Sequence, residues 1–234
     1  MGNYDVGQFI LYMVAFIFSA SLHESAHAWT SSYFGDDLAR SQGRISLNPV
    51  SHVDPLGTLL FPGISFFTGL TLLGWARPTP VNPLKWRNKK VANFWVSIAG
   101  ILVNLTTALI AGILIRVLFE TGVIGLDFDL RSWMPIAPAG TDDALAEGAV
   151  SLLAGFFTVN VGLAVFNLLP IPPLDGSGVL SSILPSSFES SIEALEQFGF
   201  VLLFIAVFSG VVSSLFSFVM PLAFNLVFLG RLSI

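Results

Sequence analysis

Residues 6–34 read VGQFILYMVAFIFSASLHESAHAWTSSYF. The stretch from Val6 to Leu22 is uncharged, and nothing interrupts the chain before His23, Glu24 and His27. A helix needs about 20 mostly apolar residues to cross a ~30 Å hydrocarbon core. With no proline in the way, one helix is expected to run from Val6 through His23–His27 towards Phe34, carrying three polar side chains to membrane depth. That places the chain among polytopic membrane proteins.

Composition agrees. Mean hydropathy is +0.80 and only 11% of residues are charged, against about 25% in an ordinary soluble domain. The net charge of −5 is modest and no basic run suggests a nucleic-acid partner. Cysteine is absent, so disulfides and thiolate metal sites are excluded and a metal must rest on His, Asp or Glu. The start of the chain lacks a basic n-region and a small-residue cleavage site, so the first helix is expected to belong to the mature protein. Further uncharged stretches run over Val91–Ile115, Ala149–Leu174 and Phe198–Gly230. The last is long enough for one tilted helix or for two broken near Ser213-Ser214. Pro55–Ala76 is also uncharged, but Gly57, Pro62, Gly63, Gly69 and Gly74 make it a poor continuous helix. The expected fold is all-α, a polytopic transmembrane helix bundle forming a single membrane-embedded domain over residues 1–234.

The loops carry the charge. Arg77 to Lys90 holds Arg77, Lys85, Arg87, Lys89 and Lys90, half of all Lys and Arg in the chain. The positive-inside rule puts that loop on the cytoplasmic side. Glu120–Gly148 is net acidic, which suits the opposite side.

His23-Glu24-Ser25-Ala26-His27 carries the chemistry. Positions i and i+4 of a helix share a face, so both imidazoles can reach one divalent ion. Glu24 is one residue from the first ligand and can reach a metal-bound water without ligating the metal. Two His and a Glu within an apolar helix cost on the order of a few kcal/mol per charged group, so an unused set is unexpected there. A zinc hydrolase needs a third protein ligand and an open position. His52 and the acidic residues are candidates. Asp175 stands out because it follows Asn167-Leu-Leu-Pro-Ile-Pro-Pro-Leu174. Three prolines in four residues break any regular helix, and irregular backbone at membrane depth lines a cavity or is buried in protein. An ordinary loop Asp at the membrane surface is the competing reading.

His23–His27 together with Asn167–Gly176 resembles the site-2 protease family of intramembrane zinc metalloproteases. Gly43–Gly57, Gly74–Pro83 and Ala99–Asn104 look like further signatures of that family, so the resemblance runs from about residue 15 to 180. It departs at Ile101, where the family usually has proline. No soluble stretch is long enough for a PDZ-like or nucleotide-sensing domain, which suggests a compact member. The resemblance implies that His23, His27 and Asp175 bind Zn²⁺ and that Glu24 is the general base. It implies substrate or oxyanion contacts for Asn167, contacts to a loop or substrate backbone for Asn104, and a capping or supporting role for His52. The competing reading for both Asn residues is helix–helix packing by hydrogen bond. The implied substrates are transmembrane proteins or peptides in a lipid bilayer. Cleavage would act on a substrate helix that unwinds and pairs as an extended segment near residues 43–57 or 55–76.

The ligand set makes a topological demand. His23 and His27 lie in the second half of the first helix, and Asp175 follows the 149–174 span. For these to meet, the two helices must run in the same direction, antiparallel to the 91–115 helix. Residues 35–90 then start and finish on one face, so Pro55–Ala76 must be a re-entrant or hairpin element. The metal is expected nearer the cytoplasmic face of what is expected to be a prokaryotic plasma membrane, with the N-terminus outside. Two rivals from other classes are weighed against the protease. A metal transporter or channel would show paired acidic or His residues on several helices, or an inverted repeat, and neither is seen. A catalytically dead zinc-stabilised scaffold would not need Glu24.

Overall fold

The computed structural model describes residues 6–68, 74–124 and 144–228. Most of the acidic 120–148 stretch and residues 69–73 lie outside the described residues. Among the described residues there is no strand, as the apolar stretches lead one to expect. The helices are α1 (Val6–Tyr33), α2 (Leu38–Ser41), α3 (Phe61–Thr68), α4 (Lys89–Glu120), α5 (Ala144–Asn167), α6 (Asp175–Ile183), α7 (Glu189–Gln197), α8 (Gly199–Phe208) and α9 (Val211–Val227). Three of them, α1, α4 and α5, are long and apolar enough to cross a membrane. The protein is a multi-pass integral membrane protein.

These three helices pack against one another in pairs and form the centre of the bundle. Small residues let them approach: Ala15 and Ala20 of α1, Ala92, Gly100 and Ala108 of α4, and Ala154 and Gly155 of α5 are all buried, as close packing between membrane helices requires. The outward faces are apolar. Leu109 and Ile113 of α4 and Val201 and Ile205 of α8 are more than half exposed, surfaces that suit contact with lipid rather than water. Below the site an apolar cluster of Ile115, Phe157, Phe224 and Phe228 joins α9 to α4 and α5.

The directions of the helices follow from who meets whom. His27 of α1 bonds to Val96 of α4, whereas His23, earlier in α1, bonds to Asn104, later in α4. The two helices are therefore antiparallel. Ser19 bonds to Asn160 of α5, and His23 and His27 lie against Asp175 beyond its end, so α1 and α5 are parallel. Both relations are those the ligand set demands.

The stretch from Pro55 behaves as a hairpin. Asp54 accepts hydrogen bonds from Leu56 and Gly57 and starts a wide π-type helix, Pro55–Leu60, that continues as α3. The chain returns beside its start: Trp75 N–H donates to Gly57 O at 3.1 Å, and Arg77 N–H donates to His52 O at 2.8 Å. A Cβ on Gly57 would stand 2.3 Å from the Trp75 ring, so only glycine allows this closure. The segment leaves and comes back at one level, as expected of a re-entrant element.

Two boundaries differ from expectation. The third span ends at Asn167, seven residues before Leu174, and Asp175 opens a separate helix, α6. Pro170 begins the interruption, since it can neither donate a backbone bond nor fit inside the preceding turns. The described part of the last stretch, Phe198–Phe228, holds two helices, and the break falls at Ser209-Gly210 rather than near Ser213-Ser214. Gly210 has φ of 81°, a left-handed conformation that glycine adopts without steric cost.

Candidate metal centre

His23 and His27 project from one face of α1 towards the start of α6. The His23 and His27 Nε2 atoms are 3.0 Å apart, and Asp175 Oδ2 lies 3.1 Å from the first and 3.3 Å from the second. Both imidazoles are buried. Asp175 occupies the first turn of α6, where the positive end of the helix dipole favours a carboxylate. Asn93 of α4 braces that helix by donating to Gly178 O, Ser181 Oγ and Ser182 Oγ.

The donor set fits a zinc-type ion. His27 Nδ1 faces the Val96 carbonyl at 2.7 Å. That oxygen can only accept, so Nδ1 carries the proton and a neutral ring offers its Nε2 lone pair to the cluster. His23 Nδ1 lies 2.6 Å from Asn104 Oδ1, with the same consequence for its Nε2. Asp175 Oδ2 is buried and receives no hydrogen bond of acceptable geometry. Three lone-pair atoms thus converge with nothing between them, which is unfavourable without a cation. Donor atoms at ~2.0–2.1 Å around a tetrahedral ion stand about 3.3 Å apart, close to the separations seen here. Two imidazoles and a carboxylate are a ligand set of catalytic zinc sites. Among the described residues this is the cluster of three His, Asp or Glu able to share an ion.

Glu24 lines the same cavity as these three residues. Its Oε2 accepts from Thr79 N–H at 2.7 Å, and its backbone carbonyl accepts from Thr79 Oγ1 at 2.9 Å. Thr79 sits in the return segment of the hairpin, which Arg44 fixes. The Arg44 guanidinium donates to the carbonyls of Ser51, Arg77 and Pro78. The cavity has a volume of about 830 Å³. Apart from the cluster and Glu24 its walls are largely apolar, with Trp75 and Val81 on the hairpin side and Phe200, Phe204 and Phe208 on α8.

The remaining sequence candidates fall in different places. Asn167 lines the cavity and donates to Leu163 O at 3.0 Å. Asn104 is fully buried outside the cavity and meets His23 rather than a loop. His52 does not join the cluster. Its Nε2 lies 2.9 Å from the Ser46 carbonyl, and burial holds its imidazole below the usual range. It braces the loop that Arg44 also grips. Two contributors were missed in the sequence. Thr79 acts through its backbone N–H, which leaves no trace in residue type. Asn160 is a carboxamide in the middle of an apolar helix, and that cost in lipid is a usable signal.

Comparison with known proteins points the same way. The model of peptidase family M50 matches residues 11–206. The chain is 34% identical over 189 residues to a protein named "Putative zinc metalloprotease YwhC" from Bacillus subtilis, covering 81% of this chain and 76% of that one. It is 30% identical to the similarly named Rip2 of Mycolicibacterium smegmatis, over 84% of this chain and 66% of Rip2. To Rip2 of Mycobacterium tuberculosis strain H37Rv it is 28% identical, over 85% and 67%. No solved structure gives a significant match. With a family match across most of its length and a relative this similar, the chain belongs to peptidase family M50, the site-2 protease family of metallopeptidases.

Proposed function

We propose that this metallopeptidase is zinc-dependent and hydrolyses peptide bonds in or near the membrane-spanning segments of other proteins, with His23, His27 and Asp175 as metal ligands and Glu24 as general base. The observation that carries the reading is the convergence of His23 Nε2, His27 Nε2 and Asp175 Oδ2 within 3.3 Å of one another, beside Glu24 and on the wall of one cavity. Relatives named as zinc metalloproteases support the choice of metal.

Zinc held there supplies Lewis-acid polarisation of the scissile carbonyl and makes a neighbouring water acidic at neutral pH. The chain's own groups do the rest. Thr79 N–H occupies Glu24 Oε2, so among the described residues Oε1 has no protein donor and is the oxygen that takes the proton from the attacking water. The same carboxyl then gives that proton to the departing amine. Asn167, at the end of α5 and on the cavity wall, is placed to hold a substrate carbonyl. The apolar walls suit the side chains of a transmembrane substrate.

The site lies in the second half of α1 and beside the first third of α4. The 77–90 loop with its five basic residues leads directly into α4. By the positive-inside rule this end faces the cytoplasm, and the bacterial relatives favour a prokaryotic plasma membrane.

The test compares wild type with Glu24→Gln in proteoliposomes containing single-pass membrane proteins. Both should hold one zinc per chain. Cleavage should fall by about 10²–10⁴-fold in the variant, the usual contribution of a general base. Cleavage by Glu24→Gln at the wild-type rate would overturn the assignment of the base.

A further inference from the structure

We propose that Asn160 is a positioning residue that sets the tautomer of His23 by orienting the carboxamide of Asn104. The inference rests on the reading of His23 as a metal ligand.

A ring nitrogen can bind a metal only through a lone pair, so His23 Nε2 is a ligand only if the proton sits on Nδ1. The group facing Nδ1 decides this, and here it is Asn104. A carboxamide is ambiguous. Its oxygen accepts and enforces the metal-binding tautomer, while its NH2, turned to the same place, donates and puts the proton on Nε2. His23 therefore depends on which way Asn104 is turned. Asn104 is fully buried, so no bulk water is at hand to settle the choice.

Asn160 settles it. Its Nδ2 donates to the Phe156 carbonyl at 2.8 Å and to Ser19 Oγ at 2.7 Å. The serine hydroxyl can play either role, but the carbonyl can only accept, so the NH2 of Asn160 must face Phe156. Its Oδ1 is then directed at Asn104, which donates from Nδ2 at 2.7 Å. That leaves Asn104 Oδ1 for His23 Nδ1 at 2.6 Å. One backbone carbonyl on α5 thus determines, through two amides, which nitrogen of an α1 histidine is bare. Asn160 is also fully buried and lies outside the cavity, so it touches neither substrate nor metal. His27 needs no such arrangement, because its Nδ1 faces a backbone carbonyl directly.

The test uses Asn160→Leu, which keeps size and removes both roles of the amide, and reads zinc affinity by chelator competition on the purified protein. Loss of a partner that orients a ligand typically costs about 10–100-fold in metal affinity, and that fall is expected here. Asn104→Asp supplies an acceptor whichever way it turns, so it should no longer need Asn160. The double variant Asn160→Leu, Asn104→Asp is expected to return to within about threefold of wild type on the same argument. A merely structural role for Asn160 would not be rescued this way. In the metal-free wild-type protein with 15N-labelled histidine, the His23 ring should show its proton on Nδ1. This reading stands even if Asn160→Leu does not fold. Wild-type zinc affinity in Asn160→Leu, absence of rescue by Asn104→Asp in a folded protein, or a proton on Nε2 would each overturn the inference. His23→Ala separates it from the reading beneath: retention of one zinc by that variant sinks the ligand assignment itself, whereas loss of zinc there with normal affinity in Asn160→Leu sinks only the role of Asn160.

Discussion

His23 and His27 are held by helices, and Glu24, which stands between them in sequence, is held by a loop. The imidazoles rest against α4 through Val96, Asn104 and Gly100, with α5 behind. The Glu24 carboxylate takes its hydrogen bond from Thr79, in an irregular segment that Arg44 grips through backbone carbonyls. Adjacent residues of one helix thus depend on unlike supports, the packed centre of the bundle on one side and a single loop segment on the other. Damage to the helical side should appear in metal binding, and damage to the loop side in turnover with the metal retained.

Four substitutions would break or sharpen that contrast. His27→Ala should have the largest effect. With only one imidazole and one carboxylate left, the purified protein should no longer hold a stoichiometric zinc, as elemental analysis would show. Gly100→Ala comes next. Its Cβ would stand 2.4 Å from His23 Cε1, so the ring must move. An overpacking cost of about 1–3 kcal/mol corresponds to roughly 5–150-fold weaker zinc binding in a competition titration. Arg44→Met should release the 77–78 carbonyls and let the Thr79 amide wander. Turnover should fall by about 10-fold, from the loss of charge-assisted contacts of about 1.5–3 kcal/mol each that are only partly felt at the base, while zinc content stays at wild type. A matching loss of zinc would show that the two sides are not separate. Thr79→Val should do least. It removes the hydroxyl but keeps the N–H to Glu24, and a steady-state assay should show a change of no more than about threefold, the worth of one ordinary hydrogen bond.

The helical side was largely legible in the sequence. Two His at i and i+4 in an apolar helix, with Glu24 beside the first, predict a shared ion from helix geometry alone. The requirement that Asp175 meet them dictated the directions of three helices and the return of the 55–76 stretch. The loop side shows in the sequence only as the Gly43–Gly57 and Gly74–Pro83 motif stretches, without a role for Arg44 or Thr79. Thr79 contributes a backbone N–H that any residue but proline would offer, and Arg44 acts on carbonyls, which have no identity in sequence. Gly100 was visible as part of a motif, but its reason, room for the His23 ring, depends on how closely α1 and α4 approach. The last uncharged stretch leaves one tilted helix or two broken near Ser213-Ser214 open, and the break falls a few residues earlier, at Ser209-Gly210. Gly210, which can take a positive φ, was the stronger signal. The resemblance implies a capping or supporting role for His52, and its ring hydrogen-bonds to the Ser46 carbonyl within the 43–57 loop.

The line of polar groups from Ser19 through Asn160 and Asn104 to His23 spans three helices. No two of them can complete it. When α1 and α4 have met but α5 is still absent, Asn104 has a donor with nothing to receive it. When α5 meets α1 alone, the oxygen of Asn160 goes begging. In lipid each such vacancy weakens the pair, so an incomplete bundle is penalised and the full trio favoured. Since α5 is the last of the three to be synthesised, the line closes only after all three helices are in place. On the ligand set proposed above, the link that would leave His23 Nε2 bare for zinc would also mark the end of assembly.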